Sequence, residues 1–520
     1  MTVTLWVPRD AGALALGAEA TARRLVTAAR AAGIDVRLRR NGSRGMYWLE
    51  PLVEVECAAG RIGYGPVLER DVDGLVAGGM LRGAPHALRI GPIEEHAWLA
   101  SQQRLTFARV GRTDPVDLDD YLASGGYRGL RKALEIGPAA TVQTVVDSGL
   151  RGRGGAAFPT GVKWQTVLDQ PAAEKFIACN ADEGDSGTYS DRMLMEGDPF
   201  SLIEGMTIAG VAVGAQQGYL YLRVEYPHAR QVLTEAIARA RAAGYLGDDV
   251  CGSGRRFDIE LRIGAGAYIC GEETSMLESL EGRRGEVRVR PPLPAHKGLF
   301  GAPTAVNNVI TLATVPFILS EGAAAYCDYG QAKSRGTLPL QLAGNVRHAG
   351  LVERAFGLTL RELLYDYGGG SASGRPIRAV QIGGPLGAYL PASQFDTPLE
   401  YEALAGIGAM LGHGGVVVFD DTVDMLAMAR HALVFCAQES CGKCVPCRMG
   451  SVRGAEALER VARGVDRERN LALVEEICDT MTHASLCGLG SMAPAPVLSA
   501  LKHFGKDFQR PGPGGVMCTP

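Results

Sequence analysis

Apolar and polar positions repeat with two different periods along the chain, and each period predicts a different kind of element. Residues 3–7 form a short apolar run that predicts a strand, whereas residues 11–32 repeat apolar positions at helical spacing. Apolar residues then alternate over 34–38 and recur over 51–56, which predicts two further strands. Residues 1–113 are therefore predicted to form a compact α/β domain.

Strand and helix patterns alternate over residues 114–337, which is typical of a layered α/β domain with a largely parallel sheet. Ser201 and Glu204 have the spacing of a capping box, which predicts that a helix begins there. Residues 257–263 alternate as a strand and lead through glycines into Cys270-Gly-Glu-Glu-Thr and a short helix. A strand that ends in glycines before a helix is where an α/β fold normally binds its ligand.

Composition limits the class of protein. A chain of 520 residues is too long for one core and predicts several domains. The formal net charge is only −4 and acidic residues are spread along the chain, so it lacks the basic surface that binding to nucleic acid needs. The amino end has no signal-peptide pattern, and no apolar run of about 18 residues follows. These features predict a soluble, cytoplasmic protein with no membrane segment.

Four cysteines have the most specific spacing in the sequence. Cys441, Cys444 and Cys447 follow one another at intervals of three, and Cys487 lies in a second segment, Ser-Leu-Cys-Gly-Leu-Gly. Three thiolates at this spacing with one distant thiolate can hold a [4Fe-4S] cluster, which carries electrons one at a time. A structural zinc site, which usually takes two separated pairs of ligands, and a set of buried thiols are the alternatives. The other eight of the 12 cysteines have no ligand spacing and are assigned no role.

Two loops have the chemistry of a site for a phosphorylated cofactor. In residues 150–164, glycines let backbone N–H groups approach a phosphate, and Arg153 and Lys163 balance its charge. In residues 180–192, side-chain donors and acceptors are suited to ribityl hydroxyls. Taken alone, the first loop is more often an ordinary tight turn, and the second is as typical of an exposed loop or of a site for a divalent ion.

These loops occur together with Gly-Glu-Glu at 271–273 and Asn-Asn at 307–308. As a set they closely resemble the NADH-binding flavin subunit of respiratory complex I and its relatives, the diaphorase subunits of NAD-linked hydrogenases and formate dehydrogenases. The resemblance runs from about residue 125 to 505, with the motifs in family order. It implies three domains: a Rossmann-like FMN/NAD domain at 114–337, a small β-grasp (ubiquitin-like) domain at 338–420, and a helical bundle with a [4Fe-4S] cluster at 421–520.

The same resemblance implies which residues bind the cofactors. FMN would be bound by Gly152, Arg153, Gly154, Gly155, Lys163, Asn180, Asp182, Glu183, Tyr268, Gly271, Glu272, Asn307 and Asn308. The cluster would be bound by Cys441, Cys444, Cys447 and Cys487, and NAD would contact Phe158, Glu273 and Arg290. Nicotinamide exchanges a hydride and a cluster takes one electron, so a flavin must lie between them. No side chain is therefore expected to act as catalytic acid, base or nucleophile.

Glu273 is expected near the adenosine ribose. A carboxylate there would accept from the hydroxyls and repel a 2′-phosphate, which favours NAD over NADP. The alternative is a helix N-terminal glutamate that the helix dipole stabilises. Thr166 and Leu293 stand where family members usually have aromatic rings against the adenine, and Arg290 stands where a lysine is common. The contacts with nucleotide are therefore expected to differ from those of the family.

Residues 41–55, Asn-Gly-Ser-Arg-Gly-Met-Tyr-Trp-Leu-Glu-Pro-Leu-Val-Glu-Val, resemble the cluster loop of thioredoxin-like [2Fe-2S] ferredoxins. Ser43 and Tyr47 stand where that family has two cysteines, and neither residue can supply a thiolate. The resemblance implies that residues 1–113 are a thioredoxin-like domain that lacks cluster cysteines and serves as a docking surface. An unrelated α/β domain is the alternative.

The fused amino-terminal domain and its missing cysteines favour one relative, the β subunit of a cytoplasmic, NAD-dependent, molybdenum-containing formate dehydrogenase. The expected partners are then a molybdenum-containing catalytic subunit with iron-sulfur clusters and a small thioredoxin-like [2Fe-2S] subunit. The diaphorase subunit of an NAD-reducing hydrogenase is the second alternative, and the complex I flavin subunit is the third. An iron-sulfur adapter without nucleotide chemistry is a different class, which the altered adenine contacts alone support.

Overall fold

The computed structural model describes residues 2–58 and 60–509. It contains three sheets of four or five strands, a two-stranded hairpin and a helical carboxyl-terminal region. Within the two described ranges, no helix is both long and apolar enough to cross a membrane. Residues 510–520, which include Cys518 and belong to the predicted helical bundle, lie outside the described residues.

The first sheet lies in the amino-terminal region and has five strands. In spatial order they are Val36–Arg39, Val3–Trp6, Val53–Cys57, Gly60–Tyr64 and Arg89–Pro92. The first two strands run parallel, and the other neighbours are antiparallel. The helices of this region are Ala11–Ala15, Ala18–Ala31, Val72–Ala77 and Ala97–Ala100. The three strands that the pattern predicts are present, and the structure adds two more.

The single helix predicted over residues 11–32 is in fact two helices, separated at Gly17. Gly17 has φ +95°, a left-handed conformation that residues with a Cβ rarely adopt. Asp10 precedes the first helix, and its side chain accepts a hydrogen bond from the Gly12 N–H at 3.1 Å. A glycine inside an apolar helical pattern was the available signal for this break.

The second sheet has four strands, all parallel. In spatial order they are Asp258–Ile263, Gln217–Leu222, Phe176–Ala181 and Thr304–Asn308. The helices around it are Leu118–Ala123, Arg128–Ile136, Pro138–Asp147, Thr160–Leu168, Ser190–Gly197, Pro199–Val213, Pro227–Ala242, Glu273–Leu280, Pro294–Lys297, Val309–Glu321 and Ala323–Cys327. Helix Pro199–Val213 is buried along its whole length, as expected for a helix without a polar face. The predicted α/β layering with a parallel sheet is therefore confirmed.

The predicted capping box at Ser201 and Glu204 is wrong, because both residues lie inside helix Pro199–Val213. The Glu204 carboxylate instead accepts hydrogen bonds from the backbone N–H groups of Tyr127 at 2.7 Å and Leu130 at 2.9 Å. These groups are at the start of the neighbouring helix Arg128–Ile136, whose unpaired N–H groups a carboxylate stabilises. Glu204 alone therefore acts as a cap, and it does so for helix Arg128–Ile136, whereas the Ser201 hydroxyl donates to the Asp198 carbonyl at 2.8 Å.

The third sheet is mixed and has five strands. In spatial order they are Gly350–Ala355, Thr337–Gly344, Gly415–Asp420, Ile377–Ile382 and Ala388–Pro391. Two neighbouring strands, Thr337–Gly344 and Gly415–Asp420, run parallel, and the other neighbours are antiparallel. Helices Leu360–Glu362 and Tyr401–Gly406, a π-helical turn Leu363–Tyr367 and the small hairpin Gly330–Gln331 with Ser334–Arg335 complete this region.

The carboxyl-terminal region is helical. Its helices are Met425–Glu439, Val445–Ala462, Arg467–Ala484, Gly488–Met492 and Pro494–Phe504. Buried residues of these helices share one apolar core with residues of the parallel-sheet region such as Tyr221 and Ile269. The bundle is therefore packed directly against the region that the sequence analysis assigns to the cofactor.

The loop of residues 41–50, where the resemblance placed a lost cluster site, is packed against other parts of the chain. The Leu351 N–H donates to the Gly45 carbonyl at 3.0 Å. On the other side, a Cβ built on Gly42 would lie 2.8 Å from the Cα of Gly197. Ser43 is buried, and its hydroxyl donates to Glu50 at 2.7 Å. This loop docks within the chain, onto the third sheet and helix Ser190–Gly197.

Candidate functional site

The candidate site lies at the carboxyl ends of the parallel strands, which we call the pocket edge. Asn180, at the end of one strand, pairs in register with Asn308 at the end of its neighbour. The Asn180 amide donates to the Gly271 carbonyl at 2.8 Å, and Gly271 belongs to the turn that follows strand Asp258–Ile263. Because parallel strands end at the same edge of a sheet, three of the four predicted segments meet here.

The fourth segment, the loop of residues 151–159, reaches the same edge. The Gly152 N–H donates to the Phe158 carbonyl at 2.8 Å, which closes the loop. Gly154 is exposed, and a Cβ built on it would lie only 2.9 Å from the Cβ of Asn308. The backbone of Gly154 and Gly155 is therefore presented at the pocket edge, whereas the Gly152 N–H is used inside the loop.

Arg153 does not face the pocket edge. Its guanidinium is buried, and all five of its N–H groups have partners. The acceptors are three carbonyls and two tyrosine hydroxyls, of Thr337, Arg151, Arg335, Tyr401 and Tyr326. The expectation that this side chain balances a phosphate charge is therefore corrected. Arg153 ties the loop to the third sheet instead.

Both carboxylate oxygens of Glu183 are occupied by hydrogen bonds within the chain. One carboxylate oxygen accepts from the Asp191 N–H at 3.1 Å, and the other accepts from the Arg192 N–H and the Tyr226 hydroxyl, both at 3.0 Å. The carboxylate thus stabilises the amino end of helix Ser190–Gly197, and burial raises the pKa of Glu183 to about 7. This corrects the expectation that the Glu183 side chain contacts ribityl hydroxyls.

Asp182 and Asn307 flank these residues at the pocket edge. Asp182 is half-buried, and burial raises the pKa of its carboxyl to about 7 although Arg223 opposes that shift. Asn307 is buried, and its side-chain oxygen accepts from the Trp164 indole N–H at 2.9 Å. Asp182 therefore presents a carboxyl to the pocket, while Asn307 forms part of its wall.

Three charged residues lie together on the open side of the pocket edge. Lys163 Nζ donates to the Val306 carbonyl at 2.7 Å and lies 3.7 Å from Oε2 of Glu273. Arg290 Nη1 lies 2.9 Å from Oε1 of the same carboxylate. Burial lowers the pKa of Lys163, and the Glu273 carboxylate opposes that shift. Phe158 lies half exposed in the neighbouring loop.

Glu272 stands between the pocket edge and the helical bundle. One of its carboxylate oxygens accepts from the N–H groups of Thr274 and Ser275, both at 2.9 Å, so it caps helix Glu273–Leu280. Burial raises the pKa of the Cys487 thiol to about 11, and the negative charge of Glu272 adds to that shift. Glu272 therefore lies close enough to the predicted cluster ligand to act on its charge.

Tyr268 is a second link between the pocket edge and the bundle. Its hydroxyl donates to Oδ1 of Asp185 at 2.7 Å, and its backbone N–H donates to Oε2 of Glu439 at 3.0 Å. Its ring packs edge-on against Phe435 with 5.0 Å between the ring centroids. Phe435 and Glu439 belong to the helix that leads into Cys441, so Tyr268 fixes the pocket relative to the cysteine loop.

The four predicted cluster ligands come together at the ends of bundle helices. Cys444 immediately precedes helix Val445–Ala462, Cys447 lies in its first turn, and Cys487 precedes helix Gly488–Met492. Burial raises the pKa of Cys447, and the neighbouring thiols of Cys444 and Cys441 add to it. A negatively charged cluster would be stabilised by the backbone N–H groups at these helix ends.

The sulfurs of these four cysteines are not grouped at the spacing of a zinc site. Across residues 2–58 and 60–509, only Glu183, Asp191 and His413 have ligand atoms that all lie within 4.8 Å of one another. The sulfurs of a tetrahedral zinc site would lie about 3.8 Å apart, given a Zn–S bond of about 2.3 Å. In the described part of the chain, no three of the four sulfurs all lie within 4.8 Å of one another, which is wider than that zinc spacing.

Sequence reasoning missed a buried polar group behind Asn308. The Asn308 amide donates to Oδ2 of Asp191 at 2.7 Å, and Oδ1 of Asp191 lies 3.1 Å from Nε2 of His413. His413 precedes strand Gly415–Asp420 of the third sheet and is 222 residues from Asp191 in the chain. Neither residue stands in a motif with ligand spacing, so only the fold brings them to the pocket edge.

Comparison with known families matches both halves of this site. Residues 145–317 match the Nuo51 FMN-binding domain, and residues 427–511 match the iron-sulfur binding region of NADH-ubiquinone oxidoreductase-F. The chain is 45% identical over 408 residues to NADP-reducing hydrogenase subunit HndC of Solidesulfovibrio fructosivorans, covering 78% of this chain and 83% of that protein. This chain belongs to the family of FMN- and [4Fe-4S]-binding flavoprotein subunits. The cofactors implied by the resemblance are thereby confirmed.

Other members of the family show how far the similarity extends. An NADH-quinone oxidoreductase subunit of Escherichia coli (strain K12) is 41% identical over 398 residues, covering 76% of this chain and 89% of that protein. A solved chain of an NAD+-reducing [NiFe]-hydrogenase in the H2-reduced state aligns with a TM-score of 0.70 and 31% identity. That alignment covers 99% of this chain and 86% of the hydrogenase chain, so it includes the amino-terminal region.

Proposed function

We propose that this chain is an NAD(H)–FMN diaphorase subunit that exchanges a hydride with NAD and single electrons with its [4Fe-4S] cluster. The observation that carries this proposal is the closeness of the two sites: Tyr268, beside the pocket edge, donates its N–H to Glu439 at 3.0 Å and packs on Phe435, both in the helix that leads into Cys441. When bound, FMN supplies the conversion between a two-electron hydride and single electrons. The side chains serve to bind, orient and shield, and none acts as a catalytic acid or base.

The residues proposed for the FMN site form two groups, those that would contact FMN at the pocket edge and those that would support them. The loop backbone with Lys163 would hold the phosphate, and the amide, carboxyl and hydroxyl groups would hold the rest of FMN. The proposed FMN contacts are Gly154, Gly155, Lys163, Asn180, Asp182, Tyr268, Gly271, Glu272 and Asn308. Gly152, Arg153, Glu183 and Asn307 would support these contacts from behind, through their hydrogen bonds with neighbouring segments.

The proposed nucleotide contacts are Phe158, Glu273 and Arg290. Phe158 is half exposed, so one face of its ring is available to stack on an adenine. Glu273 and Arg290 are paired at 2.9 Å on the same open side of the pocket edge. We further propose that Cys441, Cys444, Cys447 and Cys487 are the four cluster ligands.

The strand orders support the proposed domain identities. Residues 1–113 would be a thioredoxin-like domain without cluster cysteines, and residues 114–337 a Rossmann-like FMN/NAD domain. Residues 338–420 would be a β-grasp domain, since antiparallel neighbours flank two parallel strands, Thr337–Gly344 and Gly415–Asp420. Residues 421–520 would be the cluster-binding helical bundle.

Among the relatives, we propose the β subunit of a cytoplasmic, NAD-dependent, molybdenum-containing formate dehydrogenase. The support is the amino-terminal domain, in which Ser43 and Tyr47 replace the thiolates and Ser43 is instead bonded to Glu50 at 2.7 Å. The proposed partners are a molybdenum-containing catalytic subunit with iron-sulfur clusters and a small thioredoxin-like [2Fe-2S] subunit. The second candidate is a hydrogenase diaphorase, because the NAD+-reducing hydrogenase chain aligns over 99% of this chain.

The test is anaerobic affinity purification from the native host, followed by assays of NAD reduction with formate and, separately, with hydrogen. FMN and iron contents are measured on the same sample. Formate activity with one FMN and at least four irons per copy, about the content that one flavin and one cluster require, is the expected result. Hydrogen activity would move the assignment to the hydrogenase diaphorases. Absence of flavin and of both activities would leave only an iron-sulfur adapter.

A further inference from the structure

The side chain of His413 is buried behind the pocket edge and contacts a carboxylate that also contacts Asn308. Its Nε2 lies 3.1 Å from Oδ1 of Asp191. The other oxygen of Asp191 accepts from the Asn308 amide at 2.7 Å. Asp191 therefore uses one oxygen for the imidazole and one for the amide. Nδ2 of Asn308 also lies 3.3 Å from Nε2 of His413, so each of the three side chains contacts the other two.

Gln341 of the third sheet holds the same two segments together through their backbones. Its Nε2 donates to the His413 carbonyl at 2.8 Å. Its Oε1 accepts from the N–H groups of Tyr189 at 2.6 Å and Ser190 at 2.9 Å, which lie just before Asp191. The main chain around His413 is thus fixed to the start of the helix that carries Asp191. The imidazole is held against that carboxylate by two separate connections.

The charges around His413 favour its protonated form. Burial lowers the pKa of His413, but the carboxylates of Asp191, Glu183 and Asp185 outweigh that effect and raise it to about 9. Glu183 and Asp185 come from the loop after strand Phe176–Ala181, and Asp191 comes from helix Ser190–Gly197. At neutral pH one buried cation therefore faces three carboxyl groups.

These residues have the spacing of a metal site, since ligand atoms of Glu183, Asp191 and His413 lie within 4.8 Å of one another. However, both oxygens of Glu183 accept backbone N–H groups, and the oxygens of Asp191 contact His413 and the Asn308 amide. A metal ion would have to displace these donors from buried oxygens, which costs their hydrogen bonds. The arrangement fits a role in positioning better than a role in metal binding.

We propose that His413 is a positioning residue of the flavin pocket: by its own contact and through Asp191, it orients the Asn308 amide and thereby sets the affinity for FMN. This inference rests on the proposed placement of FMN at Asn308. The side-chain oxygen of Asn308 caps helix Val309–Glu321 by accepting from the Ile310 N–H at 2.9 Å, and its amide nitrogen contacts Asp191 and His413, so both ends of the amide are held. The third sheet thus contributes to the flavin pocket through His413, which precedes one of its strands, and through Gln341, which holds the His413 backbone.

The test measures the dissociation constant of FMN for the deflavinated full-length chain, by quenching of FMN fluorescence. The variants are His413→Leu, His413→Gln, Asp191→Asn and the double variant His413→Leu/Asp191→Asn. His413→Leu and Asp191→Asn should each weaken FMN binding about tenfold or more, because a buried polar partner is lost. The double variant should bind FMN at most about threefold more weakly than either single variant, since both residues act on the same Asn308 amide.

The matched control is His483→Gln. His483 also faces an aspartate, Asp479 at 3.2 Å, but both side chains are exposed on the bundle, at 73% and 78%. This variant should leave FMN binding unchanged. In the wild type, FMN binding should decline above a pH of about 9, where His413 loses its proton. His413→Gln keeps a hydrogen-bond donor but cannot titrate. It should therefore retain part of the affinity for FMN and show no such decline.

The outcomes separate this inference from the proposed function. If the wild-type chain does not bind FMN, the proposed function fails. If it binds FMN and His413→Leu binds within about twofold of the wild type, or if the effects of the two single variants add, His413 does not position Asn308. If His413→Leu does not fold, the comparison of His413→Gln with the wild type across pH decides, and identical pH profiles would overturn the inference.

Discussion

Arg290 Nη1 lies 2.9 Å from Oε1 of Glu273, and Lys163 Nζ lies 3.7 Å from the other oxygen of that carboxylate. The carboxylate assigned to the adenosine ribose is therefore held between two cations. A partly exposed pair of this kind is weak, so a ribose hydroxyl can compete for the carboxylate. If Glu273 is removed, Lys163 keeps the Val306 carbonyl, whereas Arg290 keeps only the longer contact of its Nη2 with Oε1 of Glu272 at 3.7 Å. Arg290 in particular then becomes available to a 2′-phosphate.

Replacement of Glu273 should therefore shift the nucleotide preference of the enzyme. In Glu273→Ala, the ratio of kcat/KM for NADP(H) to that for NAD(H) should rise about tenfold, an effect near 1.4 kcal/mol. The double variant Glu273→Ala/Arg290→Ala should lose most of that rise in the ratio, because it lacks the guanidinium that would bind the 2′-phosphate. Steady-state diaphorase assays with both nucleotides measure the ratios.

Glu135→Ala is the control for the nucleotide experiment. Glu135 pairs with Lys132 on the exposed face of helix Arg128–Ile136, with 3.2 Å between Nζ and Oε2, and the variant should leave both ratios unchanged. An unchanged ratio of NADP to NAD activity in Glu273→Ala would mean that Glu273 acts only at the start of its helix.

The cluster assignment predicts different results for two cysteines of the same bundle. Cys444→Ser should abolish the [4Fe-4S] cluster, because a hydroxyl replaces one of four thiolates. Cys478→Ser should keep its iron, since Cys478 is buried in helix Arg467–Ala484 and is not an assigned ligand. Iron and acid-labile sulfide per chain are measured after anaerobic purification, with FMN content to show that the flavin region remains folded. Equal iron contents in the two variants would contradict the assignment.

A glycine beside the cysteines should also be needed for cluster assembly. A Cβ built on Gly490 would lie 2.8 Å from the Cβ of Cys447 and would collide with the Ser485 side chain. Gly490→Ala should therefore displace the Cys487 segment and lower iron content by about half or more, given the cost of overpacking. Gly505→Ala is the control, since nothing lies within 4 Å of a Cβ at that position. Full iron content in Gly490→Ala would show that the segment adapts.

The sequence predicted those parts of the site that depend on local spacing. The alternation over 257–263 and the glycines after it located one strand end, and the cysteine intervals indicated the cluster. The sequence did not reveal what distant residues do to a side chain. All donors of the Arg153 guanidinium are taken by acceptors such as the Thr337 carbonyl, 184 residues away. Glu183 caps helix Ser190–Gly197, and Glu204 caps helix Arg128–Ile136. A motif gives the type of a side chain, whereas its direction depends on partners that only the fold brings near.

Arg153 should matter for stability rather than for the charge of a phosphate. A lysine at this position has three N–H donors in place of five and cannot match the planar arrangement of the acceptors. Arg153→Lys should therefore lower the thermal midpoint of the full chain by about 5–10 °C, as expected when buried carbonyls lose their donors. Arg239 lies beside Glu235 on the exposed face of helix Pro227–Ala242, so Arg239→Lys should change the thermal midpoint little. Calorimetry of both variants checks this, and equal midpoints would contradict the structural role.

The interface between the amino-terminal region and helix Ser190–Gly197 should weaken as pH rises. The Ala11 N–H donates to Oε2 of Glu196 at 2.7 Å, and burial raises the pKa of Glu196 to about 8. The Asp10 and Glu183 carboxyls add to that shift, and Arg192 opposes it. Because the folded pKa lies above the unfolded value of 4.5, this stability is present below pH 4.5 and is lost as pH rises through about 8.

Glu196→Gln should remove most of this pH dependence. The glutamine oxygen can still accept from the Ala11 N–H, but the side chain has no charge to bury. The thermal midpoint of the variant should exceed that of the wild type by a few degrees at pH of about 8.5, and the two midpoints should converge near pH of about 5. Glu135→Gln, exposed on helix Arg128–Ile136, controls for the loss of one negative charge. The difference in thermal midpoint between Glu196→Gln and the wild type should grow with pH. If it does not, Glu196 ionises at this interface without a loss of stability.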